Sequence, residues 1–527
     1  MIFRSRFPDV AIPDMSVQAY VFERAREWPD LPALVDGPTG RALTYRGLAS
    51  LIERVATGLA ARGFVKGDAL CIYSPNLPEY AAVFFGVATL GGVNTTANPM
   101  YGAEELARQL HDSRAKFVVT IPMLAERARE AAASVGAEVI VFGDAPGCTS
   151  FSSLVATPGA PPPITITGQD VLALPYSSGT TGLPKGVMLT HGNIVANLAQ
   201  CDFVDQSVAG DHVLGVLPFF HIYGMVVVLC MLLRRGATVV TMPQFDLELY
   251  LRLSQKYRVK TAYLVPPIAL ALAKHPLVDK FDLSSLQMIN SGAAPMGPEL
   301  ERACATRLKC LVKQGYGMTE ASPVTHFTPS DASLMRPGSC GLLIPSTECR
   351  IVDLQTRDDV GVGEHGELLV RGPQVMAGYL NRPEATAEAL DTDGWLHTGD
   401  VGFVDADGFY FIVDRLKEFI KYKGYQVAPA ELEAVLLTHP AVADVAVIPA
   451  ANEEAGEIPK AFVVARREVG VEELIAFVAA VVAPFKKVRA IEFIEKIPKS
   501  PSGKILRREL IARERARHAA EAASLTG

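Results

Sequence analysis

The residues best suited to chemistry in this chain lie in one run, Tyr176-Ser177-Ser178-Gly179-Thr180-Thr181-Gly182-Leu183-Pro184-Lys185-Gly186. Hydroxyl residues and glycines crowd together here with little steric bulk. Glycine lets the backbone curl so that successive N–H groups point one way, which makes an anion cradle. The hydroxyls add O–H donors, and Lys185 adds a point charge. Such a run suits a phosphate. It is not the Walker loop, which needs glycine before its lysine and a hydroxyl residue after it; here Pro184 precedes and Gly186 follows. A flexible linker also uses small residues, but this run carries two threonines and a Pro-Lys pair between apolar segments. The eight cysteines form no CxxC and no Cys/His cluster. They supply no zinc site and read as reduced, mostly buried thiols of a cytosolic protein.

A phosphate loop must be held by regular elements, and the flanking sequence supplies them. A short apolar segment, Val171 to Leu174, leads into it. Upstream, Thr44 can N-cap a helix whose apolar face is Leu48, Leu51, Ile52, Val55 and Leu59, ended by Gly63. Ala69 to Tyr73 reads as a strand, Pro78 to Leu90 as a helix, Phe117 to Thr120 as a strand, Met123 to Val135 as a helix and Val139 to Phe142 as a strand. This alternation predicts an α/β fold of parallel sheets covered by helices, resuming after proline-rich Thr157 to Pro163 and continuing to about Phe411. From about Leu416 the style changes: helix Ala430 to Leu437, strands Val442 to Ile448 and Ala461 to Val464, helix Glu472 to Val482, strand Ala490 to Ile494. That reads as a separate α+β unit of roughly 110 residues, within the usual domain range. The tail after Arg507 reads as a solvated terminal helix.

The bulk numbers agree with a soluble globular protein. The chain has 527 residues, 49% apolar and 20% charged, with a net charge of −7. That balance disfavours a general nucleic-acid binder, which draws its affinity from Lys and Arg on phosphates. Met1 to Asp14 lacks the apolar stretch of a signal peptide. The most apolar run, Gly224 to Leu233, has ten residues, against the ~20 of a membrane span, and reads as a buried core helix. The C-terminal Ser-Leu-Thr-Gly differs from the Ser-Lys-Leu peroxisomal address. A cytoplasmic protein without a membrane span, monomeric or homodimeric, is expected.

The Tyr176–Gly186 run resembles the AMP-binding signature of the adenylate-forming superfamily, which includes acyl-CoA synthetases, peptide-synthetase adenylation domains and beetle luciferases. Further stretches match in the family's order: Pro218-Phe219-Phe220-His221-Ile222-Tyr223-Gly224, Gln314-Gly315-Tyr316-Gly317-Met318-Thr319-Glu320, Gly394-Trp395-Leu396-His397-Thr398-Gly399-Asp400, Asp414 to Val427, and Pro498 to Lys504. Phe-His-Ile-Tyr, Ile-Lys-Tyr-Lys-Gly and Gln-Val-Ala-Pro-Ala-Glu bring it nearest to 4-coumarate–CoA ligases and bacterial cinnamate–CoA ligases. The resemblance implies a large N-terminal domain, residues 1–415, and a mobile C-terminal lid, residues 416–527, rotating about a hinge near Lys417 between two half-reactions.

The implied activity is activation of a small carboxylic acid by ATP as an acyl-adenylate, with transfer of the acyl group to coenzyme A. By resemblance, Lys504 bridges the substrate carboxylate and the α-phosphate, and Glu320 binds Mg2+, a hard cation suited to oxygen ligands. Thr319 approaches the α-phosphate; Asp400 and Arg415 approach the ribose. Ser177, Ser178, Gly179, Thr180, Thr181, Gly182, Lys185, Gln314, Gly315 and Tyr316 complete the nucleotide site. Lys421, Gln426 and His221 match residues around the acyl-adenylate in the thioester step, and Lys423 and Gly424 match pantetheine contacts. One departure stands before Phe245: plant ligases carry a lysine there that contacts coenzyme A, and this chain has Gln244.

The acyl pocket implied by the resemblance is lined by Tyr223, Val227, Ala293, Gly315, Gly317, Pro323 and Val324. Gly315 and Gly317 are expected to leave a flat slot against Tyr223, fit for a planar ring, so a cinnamate or 4-coumarate is the expected acid. Medium-chain fatty acids are the main rival. An amino-acid-activating domain needs a carboxylate shortly after the aromatic run, and residues Pro218 to Leu233 contain none. A luciferase-like oxygenase shares the Lys-Tyr-Lys-Gly loop. A non-catalytic nucleotide sensor would tolerate loss of Lys504 or Glu320, and both are present.

Overall fold

The computed structural model describes residues 1–177, 184–202, 206–423, 425–452, 454–501 and 503–525. The expected site residues Ser178, Gly179, Thr180, Thr181, Gly182 and Gly424 lie outside them. The helix begun by Thr44 runs Tyr45–Ala61, and the Thr44 side chain accepts from the Gly47 N–H. The strand Ala69–Tyr73 and the helix Pro78–Thr89 follow. Both are almost wholly buried, because helices cover both faces of a largely parallel sheet.

That sheet has eight strands in the order Gly378–Tyr379, Lys185–Thr190, Val171–Ser177, Val93–Thr96, Ala69–Tyr73, Ala115–Thr120, Glu138–Val141 and Thr149–Ser150. From Val171–Ser177 outward the pairing is parallel. Lys185–Thr190 turns back antiparallel beside Val171–Ser177. A second sheet pairs Thr261–Leu264, Met288–Ser291 and Leu311–Gly317 in parallel, then adds Val324–Phe327 and Leu342–Leu343 antiparallel. A four-stranded sheet, with His212–Gly215 and Thr238–Thr241 beside Pro32–Asp36, completes the helix-covered core.

The alternation does not run to Phe411 as expected. Glu348–Val352, Gly366–Arg371, Leu396–Val404 and Tyr410–Arg415 form an antiparallel sheet. Its last link is too short for a parallel crossover, which needs a dozen residues or more; it is a tight turn closed by Gly408 N–H to Asp405 O at 3.0 Å. The apolar run after His221 is buried, as expected, but winds as a π-helix over Tyr223–Met231. Wide π turns re-aim side chains and concentrate at functional sites.

The C-terminal unit has its own sheet, Tyr425–Val427, Ile420–Tyr422, Gly456–Ala465 and Val442–Asn452, with Ala490–Phe493 added in parallel. Helices Pro429–Thr438 and Val471–Ala479 bury Leu432, Leu436, Leu474 and Val478 against it in a core distinct from that of the large domain. Among the described residues, no helix is long and apolar enough to cross a membrane.

Candidate active site

Ser177 and Lys185 face each other in register at the ends of two antiparallel strands. The Ser177 hydroxyl donates to Glu320 Oε1 at 2.9 Å, and the Tyr379 hydroxyl donates to the same oxygen at 2.9 Å. Glu320 is buried on the one-turn helix Thr319–Ala321, which follows the strand Leu311–Gly317. Tyr379 arrives on the strand Gly378–Tyr379, paired with Val187 and Met188. The Lys185 ammonium lies 4.4 Å from the centre of the Tyr379 ring. The same aromatic ring therefore meets the loop's cation on its face and the carboxylate at its hydroxyl. Among the described residues no group of three or more His, Cys, Asp or Glu could hold a metal alone. A buried carboxylate beside a phosphate loop fits a hard cation that shares its ligands with phosphate oxygens.

Asp400 and Arg415 are cross-strand partners in the antiparallel sheet. Arg415 Nε lies 3.1 Å from Asp400 Oδ1, and the Tyr316 hydroxyl donates to Asp400 Oδ2 at 2.6 Å. The Asp400 carboxylate raises the Arg415 pKa, while burial followed by that same carboxylate holds the Tyr316 phenol well above its ordinary value. Asp400 is thus an acceptor whose two oxygens are held in place by Arg415 and Tyr316. Gln314 shares a strand with Tyr316 but is committed elsewhere. Its amide accepts from Met296 N–H and donates to Met296 O, both at 2.9 Å, and donates to Glu301. Its side chain holds the segment after Ala293 in place.

Lys504 comes from the C-terminal unit. Its turn is closed by Ser500 N–H to Lys504 O at 2.8 Å and Lys504 N–H to Ser500 Oγ at 3.1 Å. A Cβ on Gly503 would lie 3.1 Å from Val265 Cγ2, so the turn packs directly on the large domain. The Lys504 ammonium feels Arg415, Asp400, Glu320 and Glu418 together; burial and then Arg415 lower its pKa, and the three carboxylates pull it back up. His221 belongs to the same neighbourhood. Burial, reinforced by the Lys504 charge, lowers its pKa to about 3. Its Nδ1 accepts from the Tyr223 N–H at 3.3 Å, so the imidazole is neutral with its proton on Nε2.

The remaining lid residues are not brought to this cluster. Lys421 and Gln426 stand opposite each other across a hairpin, and both are exposed. Their spacing of five becomes direct opposition because the chain reverses between Tyr422 and Tyr425. Lys423 is exposed and paired with Glu454. Lys417 is exposed in the turn between the last large-domain strand and the lid sheet.

Tyr223 is the first of the residues expected to line an acyl pocket. Its ring packs where a Cβ on Gly292 would come within 2.9 Å of Cε1, and its hydroxyl donates to Asn290 O at 3.3 Å. Val227, Pro323 and Val324 are buried, and Ala293 adopts a left-handed φ of 70°. The glycines Gly315 and Gly317 have a different reason from the slot expected of them. A Cβ on Gly317 would lie 2.1 Å from Pro323 O, and one on Gly315 2.8 Å from Phe327 Cδ2. Their missing side chains admit the neighbouring segment 323–327. Gly292 is the residue that makes room for Tyr223. Sequence reasoning missed Tyr379, Gly292 and Asn290; a tyrosine behind Met376-Ala377-Gly378 carries no local mark of a partner at Glu320.

Both halves of this arrangement match known proteins. The AMP-binding enzyme family matches residues 21–380, and the AMP-binding enzyme C-terminal domain matches residues 431–504. 4-Coumarate–CoA ligase 1 of Petroselinum crispum is 45% identical, with 97% of each chain covered. Among solved structures, the anthranilate–CoA ligase AuaEII in complex with anthranoyl-AMP superposes with a TM-score of 0.89 at 25% identity, covering 96% of this chain and 98% of that one. ATP-bound MatB from Rhodopseudomonas palustris gives 0.86 at 27% identity, covering 94% and 98%, and the apo form of the same protein gives 0.77. With both its large domain and its lid matched, the chain belongs to the AMP-binding enzyme family.

Proposed function

We propose that this chain is an ATP-dependent acid–CoA ligase that forms an acyl-adenylate and then an acyl-CoA thioester, acting on 4-coumarate or a close cinnamate. The observation that carries it is the position of Lys504. A lysine of the C-terminal unit reaches across the domain boundary to the cluster of Glu320, Asp400 and Arg415, while Lys421 and Gln426 of the same unit face outward. Residues 1–415 form the nucleotide- and acyl-binding domain, 416–527 the lid, and Lys417 the hinge.

In the first half-reaction a carboxylate oxygen attacks the α-phosphorus of ATP and pyrophosphate leaves. Two anions must meet, so a positioned cation contributes most where charge builds up. Lys504 bridges the carboxylate and the α-phosphate. Asp400 accepts from the ribose hydroxyls with Arg415 and Tyr316 holding its orientation. Ser177 and Tyr379 orient Glu320, which would hold Mg2+. That ion, when bound, neutralises phosphate charge. In the second half-reaction the thiol of coenzyme A attacks the acyl carbonyl and AMP leaves. Neutral His221 offers an Nε2–H toward the acyl group, and lid rotation replaces Lys504 with the Lys421–Gln426 hairpin.

The test is pyrophosphate release with ATP, magnesium and 4-coumarate, with and without coenzyme A. A single stoichiometric burst without the thiol and sustained turnover with it are expected. Absence of any acid-dependent pyrophosphate would overturn the assignment.

A further inference from the structure

Among the described residues Lys504 makes its hydrogen bonds through its backbone, so the place of its ammonium is set by the turn that carries it. That turn is the tip of a hairpin. Leu506 N–H reaches Pro498 O at 2.9 Å, and Lys499 bridges Ile505 across it. Both arms are pinned to the body of the C-terminal unit. On the entering arm Lys499 Nζ lies 2.6 Å from Asp444 Oδ2. On the leaving arm Arg507 Nη2 donates to both Glu433 oxygens, at 2.7 and 2.8 Å, and Nε donates to Val447 O at 3.2 Å. Arg507 has one more partner. Its Nη1 donates to Glu418 Oε2 at 2.6 Å, and Glu418 directly follows Lys417. The Arg507 side chain is 15% exposed. Burial works against its charge, but Glu433, Glu418 and Asp414 outweigh that and raise its pKa. One guanidinium thus joins the Lys504 hairpin to the helix Pro429–Thr438 and to the segment that leaves the large domain. Its donors sit in a rigid planar fork, which fixes the geometry of the junction in a way a flexible ammonium does not.

Resting on the ligase reading above, we infer that Arg507 is a positioning residue for adenylation: by tying the Lys504 hairpin to the segment after Lys417, it sets where the Lys504 ammonium meets the carboxylate and the α-phosphate. Its hydrogen bonds go to Glu418, Glu433 and Val447, none of which belongs to the cluster of Glu320, Asp400 and Arg415, so it acts through Lys504. The Lys421–Gln426 hairpin has its own anchorage. Tyr422 pairs with Gly456 of the sheet, and Ile420 and Val427 lie in the core of the C-terminal unit. Thioester formation therefore does not depend on Arg507.

The experiment measures each half-reaction in single turnover for Arg507→Gln, Arg507→Lys, Lys504→Ala and the double variant Lys504→Ala/Arg507→Gln. Arg507→Gln should lose about 10- to 100-fold in adenylation, as a misplacement of ~1 Å does, and keep conversion of supplied acyl-adenylate to thioester within about 2-fold. Arg507→Lys keeps the charge without the fork and should recover part of the loss. In the Lys504→Ala background Arg507→Gln should cost no more than about 2-fold further, because groups that act as one unit are not additive. Arg507→Gln leaves Glu418 and Glu433 without their cation. Arg507→Gln/Glu433→Gln, which removes one of those charges, therefore runs beside it and should show the same split. Equal loss in both half-reactions of a folded variant, or a full further loss on top of Lys504→Ala, would overturn the inference and leave the ligase reading intact. An unmodified enzyme that releases no acid-dependent pyrophosphate would sink the proposed function and this inference with it.

Discussion

Arg415 stands directly across from Asp400 on the last two strands of the large domain, Nε to Oδ1 at 3.1 Å, two residues before Lys417. The pair ties the antiparallel sheet of the large domain to the segment that leads into the C-terminal unit. Leu416, between Arg415 and Lys417, donates its N–H to Gly399 O at 2.8 Å, so the strand pairing continues to the residue before Lys417.

Lys504→Ala should cripple adenylation and spare conversion of supplied acyl-adenylate to thioester. Loss of a charged contact made chiefly in the transition state costs about 3 kcal/mol, or more than 10²-fold. Single-turnover assays of each half-reaction decide it, and equal loss in both would count against the division of labour.

Lys417→Pro should leave adenylate formation near normal and block thioester formation. Proline restricts φ to about −65°, and hinges turn by changing backbone dihedrals. Lys417 is exposed, so the change removes no buried contact. Wild-type turnover with coenzyme A would refute the alternating lid.

Ala293→Gly should admit bulkier rings without destabilising the fold. Ala293 holds a φ of 70°, which glycine adopts without strain, so the substitution relieves about 1 kcal/mol of backbone strain. Thermal denaturation together with kcat/KM for ring-methoxylated cinnamates tests both halves. A clear drop in Tm would show that the methyl group packs more than it strains.

Asp414 should make stability fall as pH rises toward neutrality. Burial pushes its carboxyl up to about 7, against the pull of Arg507 and of the Ala430 and Arg415 N–H groups. The unfolded value is near ~3.9, so between about pH 4 and pH 7 the native state keeps a proton that the unfolded chain has lost. The stabilisation is full below the unfolded value and lost as pH rises through 7. Asp414 caps the first turn of the lid helix Pro429–Thr438 from the large-domain side. Asp414→Asn should therefore be less favourable relative to wild type at pH 5 than at pH 8, measured by denaturant midpoints. A pH-independent difference would mean the carboxyl titrates normally.

The sequence by itself determined whatever is written in short-range pattern. The Thr44 cap, the strand Ala69–Tyr73, the helix Pro78–Thr89 and the change of style after Leu416 follow from periodicity and capping, which act within a turn or a pleat. The motif stretches were legible for the same reason, because each packs its chemistry into about ten residues. Which groups converge depends on long-range packing. Ser177, Glu320 and Tyr379 lie on separate strands and a short helix, and nothing near Tyr379 marks its partner. Gly315 and Gly317 read as slot-makers, but close approach of segment 323–327 requires them. The neutral His221 and the proton-holding Asp414 depend on burial, which is a property of the packed chain and of no local stretch of it.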